Sequence, residues 1–315
     1  RERFGIPAEG LNPTEPAADV LDPPSWDHYI GQARAKLELQ IRLQSAIERG
    51  ARLPHTLVLA GPGSGKTTLV SLIAAEAGLP LVVLNRPPKN NDAFLDVLAP
   101  VLRGGLLFVD EIHNWGPTMQ GALMQLTEDG VLDTGSGPVN VSKVTLIGAT
   151  TDPQKLLRPL RDRFTCRPEF VPYSVEEIGD ILEGMLERSG VELDAGVIGE
   201  LAAAADDNPR MARHLAEAAR DLAVTGMPTT AAAILAFVGV APDGLTRDHL
   251  GYLEKLATCK HGQAGLKTMA TLLQLPTGEL HELERSLTAR GLVCYAGSAG
   301  RQITPGGRAR ISKTT

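Results

Sequence analysis

The chain has 315 residues, 43% of them apolar and 22% charged, with a formal net charge of −6. That is ordinary for a soluble globular protein and long enough for two or three domains with real cores. No apolar stretch approaches membrane-spanning length, no secretory leader pattern opens the chain, and the acidic balance argues against coating nucleic acid by bulk attraction.

Cys166, Cys259 and Cys294 are far apart and show no metal-ligand spacing. They read as thiols in a reducing compartment, so a cytoplasmic location is expected; with no spanning stretch, no membrane partner is expected. Residues 1–24 carry Pro7, Pro13, Pro16, Pro23 and Pro24 with little periodicity, the pattern of an extended leader. A helix is predicted over 33–49, with Leu37, Ile41 and Leu43 on its buried side and Gly50 as its stop.

From there strand and helix patterns alternate, the signature of βαβ units and a parallel sheet. The first strand, Leu57-Val58-Leu59, runs into Ala60-Gly61-Pro62-Gly63-Ser64-Gly65-Lys66-Thr67-Thr68 and then a helix. This is a phosphate-binding loop. Its Gly63, Ser64 and Gly65 allow backbone N–H groups to close on phosphates, Lys66 reaches the outer phosphates, and the Thr67 hydroxyl can ligate magnesium. Ala60 stands where glycine is usual and is small enough to keep the loop. A Gly-rich turn without a ligand is the alternative, and the order strand, loop, Lys-Thr, helix argues against it.

A short strand, Leu81-Val82-Val83-Leu84, and a helix over 92–102 lead to Leu106-Leu107-Phe108-Val109 and then Asp110-Glu111. Both carboxylates therefore fall at the C-terminal edge of a strand, where ligands of open α/β sheets bind. Asp110 can hold the magnesium of MgATP and Glu111 can polarise the attacking water. A solvated helix start is the bland reading of an Asp-Glu pair; the phosphate loop outweighs it. A helix over 117–126 and a hairpin over 130–141 follow, with Val131, Val139 and Val141 as the hairpin's apolar content. A strand over 144–149 then ends in Thr150-Thr151, ahead of a basic helical stretch at 157–164.

The strand signal stops at Ser174, where Ser174 and Glu177 form a capping box. Helices are predicted to about 188 and over 194–205, 209–224 and 229–237, making a small all-helical domain. Beyond a linker at 241–244, helices over 247–257, 266–273 and 278–290 precede a two-stranded ribbon turning at 297–300. That pattern describes a winged helix, which places its third helix in the DNA major groove, with protein interaction as the competing use. From Asp243 onward ten basic residues face six acidic ones, a balance of +4 that leaves −10 for the rest. A basic tail on an acidic body suits local contact with phosphates.

Several motifs occur in a telling order: Tyr29-Ile30-Gly31-Gln32, the phosphate loop, Asp110-Glu111-Ile112-His113, and the run Thr145-Leu146-Ile147-Gly148-Ala149-Thr150-Thr151. Pro159-Leu160-Arg161-Asp162-Arg163-Phe164 and Asn208-Pro209-Arg210-Met211-Ala212-Arg213-His214-Leu215 follow. From about Ser25 to Ser312 the chain resembles the RuvB family, AAA+ motors that drive branch migration of Holliday junctions. The resemblance implies an α/β P-loop AAA+ core with a parallel sheet over 25–172, an all-α lid over 173–241 and a C-terminal winged-helix domain over 242–315.

It also implies roles. Lys66, Thr67 and Thr68 would lie at the phosphates, Thr67 and Asp110 at Mg2+, and Glu111 at the water. Thr151, or its neighbour Thr150, matches the polar sensor residue, and Arg210 the lid arginine that senses nucleotide in its own subunit. Arg163 matches the arginine finger that reaches a neighbour's ATP. Tyr29, Ile30 and Pro209 match the adenine-packing positions, and Arg301 the wing position that meets DNA. The implied cofactors are ATP and Mg2+. The implied partners are duplex or four-way junction DNA, further copies in a homo-hexamer, and a RuvA-like junction-binding protein at the 130–141 hairpin.

Three departures stand out: Asp22-Pro23-Pro24 replaces the family's Arg-Pro, the 128–145 segment is shorter, and Asn114-Trp115 follows the catalytic strand, Trp115 being expected to pack or to line an interface. A ring-forming motor that translocates duplex DNA is the leading expectation. A nucleotide-switched DNA-binding or signalling ATPase is the second. A degenerate scaffold is disfavoured by intact Lys66, Asp110, Glu111 and Arg163.

Overall fold

The computed structural model describes residues 20–297 and 300–312. Most of the expected leader, with Pro7, Pro13 and Pro16, and the centre of the 297–300 turn lie outside the described residues. The chain divides into two compact units: residues through Leu193 with Asp207–Arg220, and Asp194–Asp206 with the chain from Asp221 onward.

The first unit runs, in chain order, α1 (Ala33–Glu48), β1 (Thr56–Leu59), α2 (Lys66–Ala77), β2 (Leu81–Leu84), α3 (Asn91–Leu98), β3 (Gly105–Val109), α4 (Pro117–Glu128), β4 (Val131–Thr134), β5 (Gly137–Asn140), β6 (Val144–Thr150), α5 (Arg158–Arg163) and α6 (Val175–Ser189). Four strands form one parallel sheet in the order β1–β6–β3–β2. Beyond β1, the irregular segment around Cys166–Phe170 adds a further edge through bonds from Leu57 and Leu59 to the carbonyls of Cys166 and Pro168.

Alternation along the strands sends residues to two cores. Val58, Leu106, Phe108 and Ile147 pack with α1 and α2 on one face. Leu57, Leu107, Val109 and Leu146 pack with Phe94, Leu123 and Phe164 on the other. A sheet covered on both faces explains why these strands read as uninterrupted apolar runs. Trp115 is 2% exposed and meets Phe94 edge-on at 6.1 Å, so it belongs to this second core.

The buried stripe of α1 is Ala35, Leu39, Leu43 and Ala46, while Leu37 and Ile41 are 59% and 60% exposed. This corrects the expected face. Counting the larger aliphatics set the phase wrongly, because two of the inward positions are alanines. The hairpin β4–β5 also lies back on the core: Leu132 and Val141 are fully buried, Gly135 N–H donates to Asp92 Oδ1 at 2.9 Å, and Asn91 Nδ2 donates to the Asp133 carbonyl at 2.6 Å.

The capping box of α6 forms as the sequence suggests, with Glu177 N–H on Ser174 Oγ (3.1 Å) and Ser174 N–H on Glu177 Oε2 (2.9 Å). The second unit contains α7 (Ala195–Ala205), the end of α8 (Pro209–Val224), α9 (Ala231–Val238), α10 (Arg247–Thr258), β7 (Gln263–Ala264), α11 (Leu266–Leu273), α12 (Thr277–Ala289), β8 (Val293–Tyr295), β9 (Arg301–Ile303) and α13 (Pro305–Ser312). Its strands pair antiparallel as β7–β9–β8 around a core that includes Tyr252, Leu256, Met269, Leu280 and Ile303. The ribbon therefore has a third strand. Gln263-Ala264 is too short to leave a periodic signal.

Candidate active site

The strand order places the ends of β1 and β3 on either side of β6. Three segments distant in sequence thus meet at one sheet edge: the loop after Leu59, the carboxylates after Val109, and Thr150-Thr151. The loop turns through Gly63 (φ +73) and Gly65 (φ +85), left-handed conformations that glycine adopts without steric cost. A Cβ on Gly63 would lie 2.4 Å from Asn208 Oδ1. Glycine therefore serves both the turn and the close approach of the start of α8. Ala60 is 7% exposed and joins the core beneath the loop, so the missing first glycine is filled by packing.

Lys66 opens α2 and is only 6% exposed; its Nζ donates to the Gly61 carbonyl at 2.9 Å and lies 3.7 Å from Glu111 Oε1. A buried cation beneath a left-handed loop at a helix N-terminus suits an anion of several charges. Among the described residues no group of three or more His, Cys, Asp or Glu side chains gathers to hold a metal. Magnesium bound between Thr67 and Asp110 would therefore draw its other oxygens from phosphate and water, as this hard, reluctantly dehydrated ion does in nucleotide sites.

Glu111 is a non-glycine residue at φ 44, ψ 48, and Asp110 Oδ1 accepts its N–H at 3.0 Å. Its Oε2 accepts from the Thr151 hydroxyl at 3.2 Å and lies 3.1 Å from His113 Nδ1. The same His113 nitrogen is 2.9 Å from Thr150 Oγ1, which also accepts the Asp152 N–H at 3.0 Å. The two threonines have separate tasks. Thr151 is exposed and touches the carboxylate, whereas Thr150 is 1% exposed and orients His113 and the turn. Spacing alone assigns His113 no role; the Asp110-Glu111-Ile112-His113 run on a tight turn is the signal that points to it.

A cavity of about 360 Å3 opens over the loop. Tyr29, Ile30, Ile181, Met185 and Pro209 give it an apolar side, while Lys66, Thr67, Thr68, Asp110 and Arg210 line the rest. Tyr29 is braced as well as apolar: its hydroxyl lies 3.5 Å from the Gly65 carbonyl and 3.4 Å from the Tyr173 hydroxyl, which donates to the Ser64 carbonyl at 3.3 Å. Burial, and for Tyr29 the neighbouring Tyr173, pushes both phenols above their ordinary pKa, so they stay protonated donors. No motif in the sequence marks Tyr173. Gln32 brings it in, pairing both ends of its amide with the Val171 backbone at 2.7 and 2.9 Å.

Asp22, the residue that departs from the family pattern, bonds Arg213 Nη1 at 2.6 Å, and Arg188 donates to the Leu21 carbonyl at 2.9 Å. The unexpected anion at this edge of the cavity is thus matched by a cation on α8.

Two expected residues lie elsewhere. Arg163 ends α5, pairs with Glu128 and lines a different groove from the nucleotide cavity. Arg301 sits on β9 with its guanidinium bidentate to Glu284, at 2.8 Å for both contacts, and 5.4 Å over the Tyr295 ring. Glu284 is fully buried and also accepts the Tyr252 hydroxyl at 2.9 Å. Arg301 is therefore committed to an internal network, and Tyr295, 60% exposed, presents the ribbon's outer surface.

Residues 21–170 match the family model described as the Holliday junction DNA helicase RuvB P-loop domain. The chain is 33% identical over 290 residues to the Holliday junction branch migration complex subunit RuvB of Nitratiruptor sp., covering 86% of each protein. It is 35% identical over 304 residues to the protein of the same description from Thermobifida fusca, covering 92% of this chain and 85% of that one. Its structure superposes on the Thermotoga maritima RuvB Holliday junction branch migration motor with a TM-score of 0.81 at 28% identity, covering 93% of this chain and 99% of that one. With its α/β P-loop AAA+ fold and nucleotide-binding loop, the chain belongs to the RuvB family.

Proposed function

We propose that this chain is an ATP-driven DNA motor of the RuvB type, coupling ATP hydrolysis to translocation of duplex DNA and branch migration of Holliday junctions. The observation that carries this reading is Lys66 Nζ 3.7 Å from Glu111, beneath a cavity that Arg210 also lines. A phosphate-binding cation and a strand-end carboxylate at that spacing suit in-line attack of water on a terminal phosphate. Lys66 and the loop N–H groups hold the phosphates, Glu111 takes the proton of the attacking water, and Thr151 orients Glu111. Thr67 and Asp110 would hold Mg2+, which when bound would supply charge neutralisation at the outer phosphates. Tyr29, Ile30 and Pro209 pack the base, and Arg210 touches the phosphates from α8.

Arg163 completes the site from a neighbouring subunit of a homo-hexamer; its place outside its own nucleotide cavity supports that assignment. The core over 25–172, the lid over 173–241 and the winged helix over 242–315 are the working parts, with the basic C-terminal domain on DNA in the cytoplasm. A RuvA-like partner at the hairpin has Val131 and Val139 to meet, since Val141 is spent on the core.

The test is ATP turnover with and without duplex and four-way junction DNA, together with dissociation of a labelled junction. DNA-stimulated turnover with junction dissociation is expected. Turnover indifferent to DNA, with intact junctions, would overturn the motor reading in favour of a nucleotide switch.

A further inference from the structure

We propose that His113, backed by Thr150, is a positioning residue that anchors one oxygen of Glu111, so that the other, Oε1, is the atom that takes the proton of the attacking water. The proposal rests on the general-base reading of Glu111 and adds to it a residue and an atom.

The two oxygens of Glu111 stand in different surroundings. Oε2 faces the Thr151 hydroxyl at 3.2 Å, the Thr151 N–H at 3.4 Å and His113 Nδ1 at 3.1 Å. Oε1 faces Lys66 instead, 3.7 Å from its Nζ. A carboxylate has no proton to give, so the His113 nitrogen that approaches it carries one. Thr150 Oγ1, 2.9 Å from the same nitrogen, is a second acceptor for that proton, and it accepts the Asp152 N–H as well, at 3.0 Å.

The fold holds both supports in place. His113 lies in the short 3-10 turn Ile112–Asn114. Ile112 and Trp115 flank it and are buried in the second core, which pins the turn from both sides. A Cβ on Gly148 of β6 would lie 3.0 Å from Ile112 Cδ1, so a side chain there would press the turn away from the strand. Thr150 ends β6 and is 1% exposed, and its carbonyl accepts the Ala60 N–H at 3.3 Å. One residue therefore touches both the start of the phosphate loop and the histidine that grips the base.

These contacts decide which oxygen reacts. In hydrolysis the water oxygen bonds to the terminal phosphorus, the bond from that phosphorus to the bridging oxygen of the leaving diphosphate breaks, and the water proton passes to the base. Oε2 is occupied by its donors, and Oε1 is the oxygen on the lysine side. Glutamate has three side-chain torsions; with the backbone set at φ 44 and Oε2 held, Oε1 has little room to wander. Misplacing a reacting group by roughly 1 Å costs on the order of a hundredfold in rate.

The experiment uses the full chain and measures ATP turnover, binding of a non-hydrolysable ATP analogue and melting temperature. His113→Ala should lower kcat about 10–100-fold, while KM for ATP stays within about twofold of wild type. His113→Asn, whose side-chain amide can donate from the place of Nδ1, should recover most of that loss. Thr150→Val keeps the buried shape, removes only the hydroxyl, and should lower kcat in the same direction. The deciding readout is the double-mutant cycle of each variant with Glu111→Gln, followed in single-turnover reactions. Because His113 acts through Glu111, its loss should cost little more on that background. An equal fall on both backgrounds would make His113 a structural residue and overturn the proposal, as would wild-type kcat in His113→Ala. No recovery in His113→Asn at a wild-type melting temperature would overturn the donor role. The base reading is judged separately: wild-type turnover by Glu111→Gln would refute it whatever His113→Ala does.

Discussion

Replacing Arg301 by methionine separates a structural wing from a DNA-reading one. The Arg301 side chain is 14% exposed and both of its guanidinium contacts to Glu284 are 2.8 Å, while the Glu284 side chain is 1% exposed. Glu284 also serves Tyr252, whose phenol is pushed far above its ordinary pKa by burial and then by that carboxylate. Arg301→Met therefore leaves a buried carboxylate without its cation, a loss worth about 3–5 kcal/mol. In a unit of roughly 100 residues each kcal/mol is worth about 4–8 °C, so its melting temperature should fall on the order of 20 °C. Glu284→Gln/Arg301→Met removes the orphaned charge and keeps an acceptor for Tyr252, so most of that loss should return. The assay is calorimetric melting of the single and double variants, with duplex binding measured well below the transition. The reasoning fails if Arg301→Met melts like the wild type, or if the restored double variant melts normally yet has lost DNA affinity. The second result would make Arg301 itself a DNA contact.

Glu111→Gln should retain ATP binding and lose turnover by about 10²–10⁴, the range for a positioned general base; turnover within a few-fold of wild type would remove Glu111 from that role. Arg163→Ala should likewise bind ATP and lose most turnover, since a finger supplied in trans is worth about 10³–10⁵. Mixing it with Lys66→Ala should restore some activity, and no recovery at any ratio would sink the trans assignment. His55 is 6% exposed and accepts the Leu146 N–H at Nδ1, 3.0 Å away; burial, with Arg52 nearby, lowers its pKa from 6.5 to about 4. The unfolded chain therefore binds the proton first. The stability that neutral His55 contributes should be fully present above pH 6.5 and decline as pH falls toward 4, by up to about 3 kcal/mol. Urea unfolding at pH 7, 5.5 and 4.5 checks this, and His55→Gln should flatten the trend; an unchanged slope in the variant would assign it to other groups.

The parts legible in the sequence are those whose signal is local. Leu106-Leu107-Phe108-Val109 is a strand as the sequence suggests, buried at every position, because a strand in a covered parallel sheet is apolar on both faces and its ends are set by turns. The capping box at Ser174 and the glycine turns of the phosphate loop are likewise local. What stayed hidden depends on meetings between distant segments. Nothing near Tyr173 announces that it will stand 3.4 Å from Tyr29; that contact exists because Gln32 clamps the Val171 backbone. The resemblance gives Arg301 only as the wing position that meets DNA; its partner Glu284 lies on α12, and helical spacing does not reveal which carboxylate turns inward to meet a strand. The buried face of α1 is hidden for a different reason. Small alanines carry little weight in an apolar pattern, although they let a helix approach the sheet closely enough to bury Leu39 and Leu43.

The left-handed backbone at Glu111 joins these threads. A non-glycine residue there costs about 1–2 kcal/mol, and the surroundings hold it: Thr151 and His113 grip the carboxylate, and Asp110 accepts its N–H. The turn at the end of β3 gives two adjacent acids different surroundings, Asp110 lining the cavity and Glu111 beside the lysine. With the site as it stands, Lys66 divides its charge between the Gly61 carbonyl and Glu111. A terminal phosphate beside Lys66 competes for that cation, while Thr151 and His113 keep the carboxylate in place. On the proposed roles, Glu111 would then be released from Lys66 when its substrate arrives, without having to move.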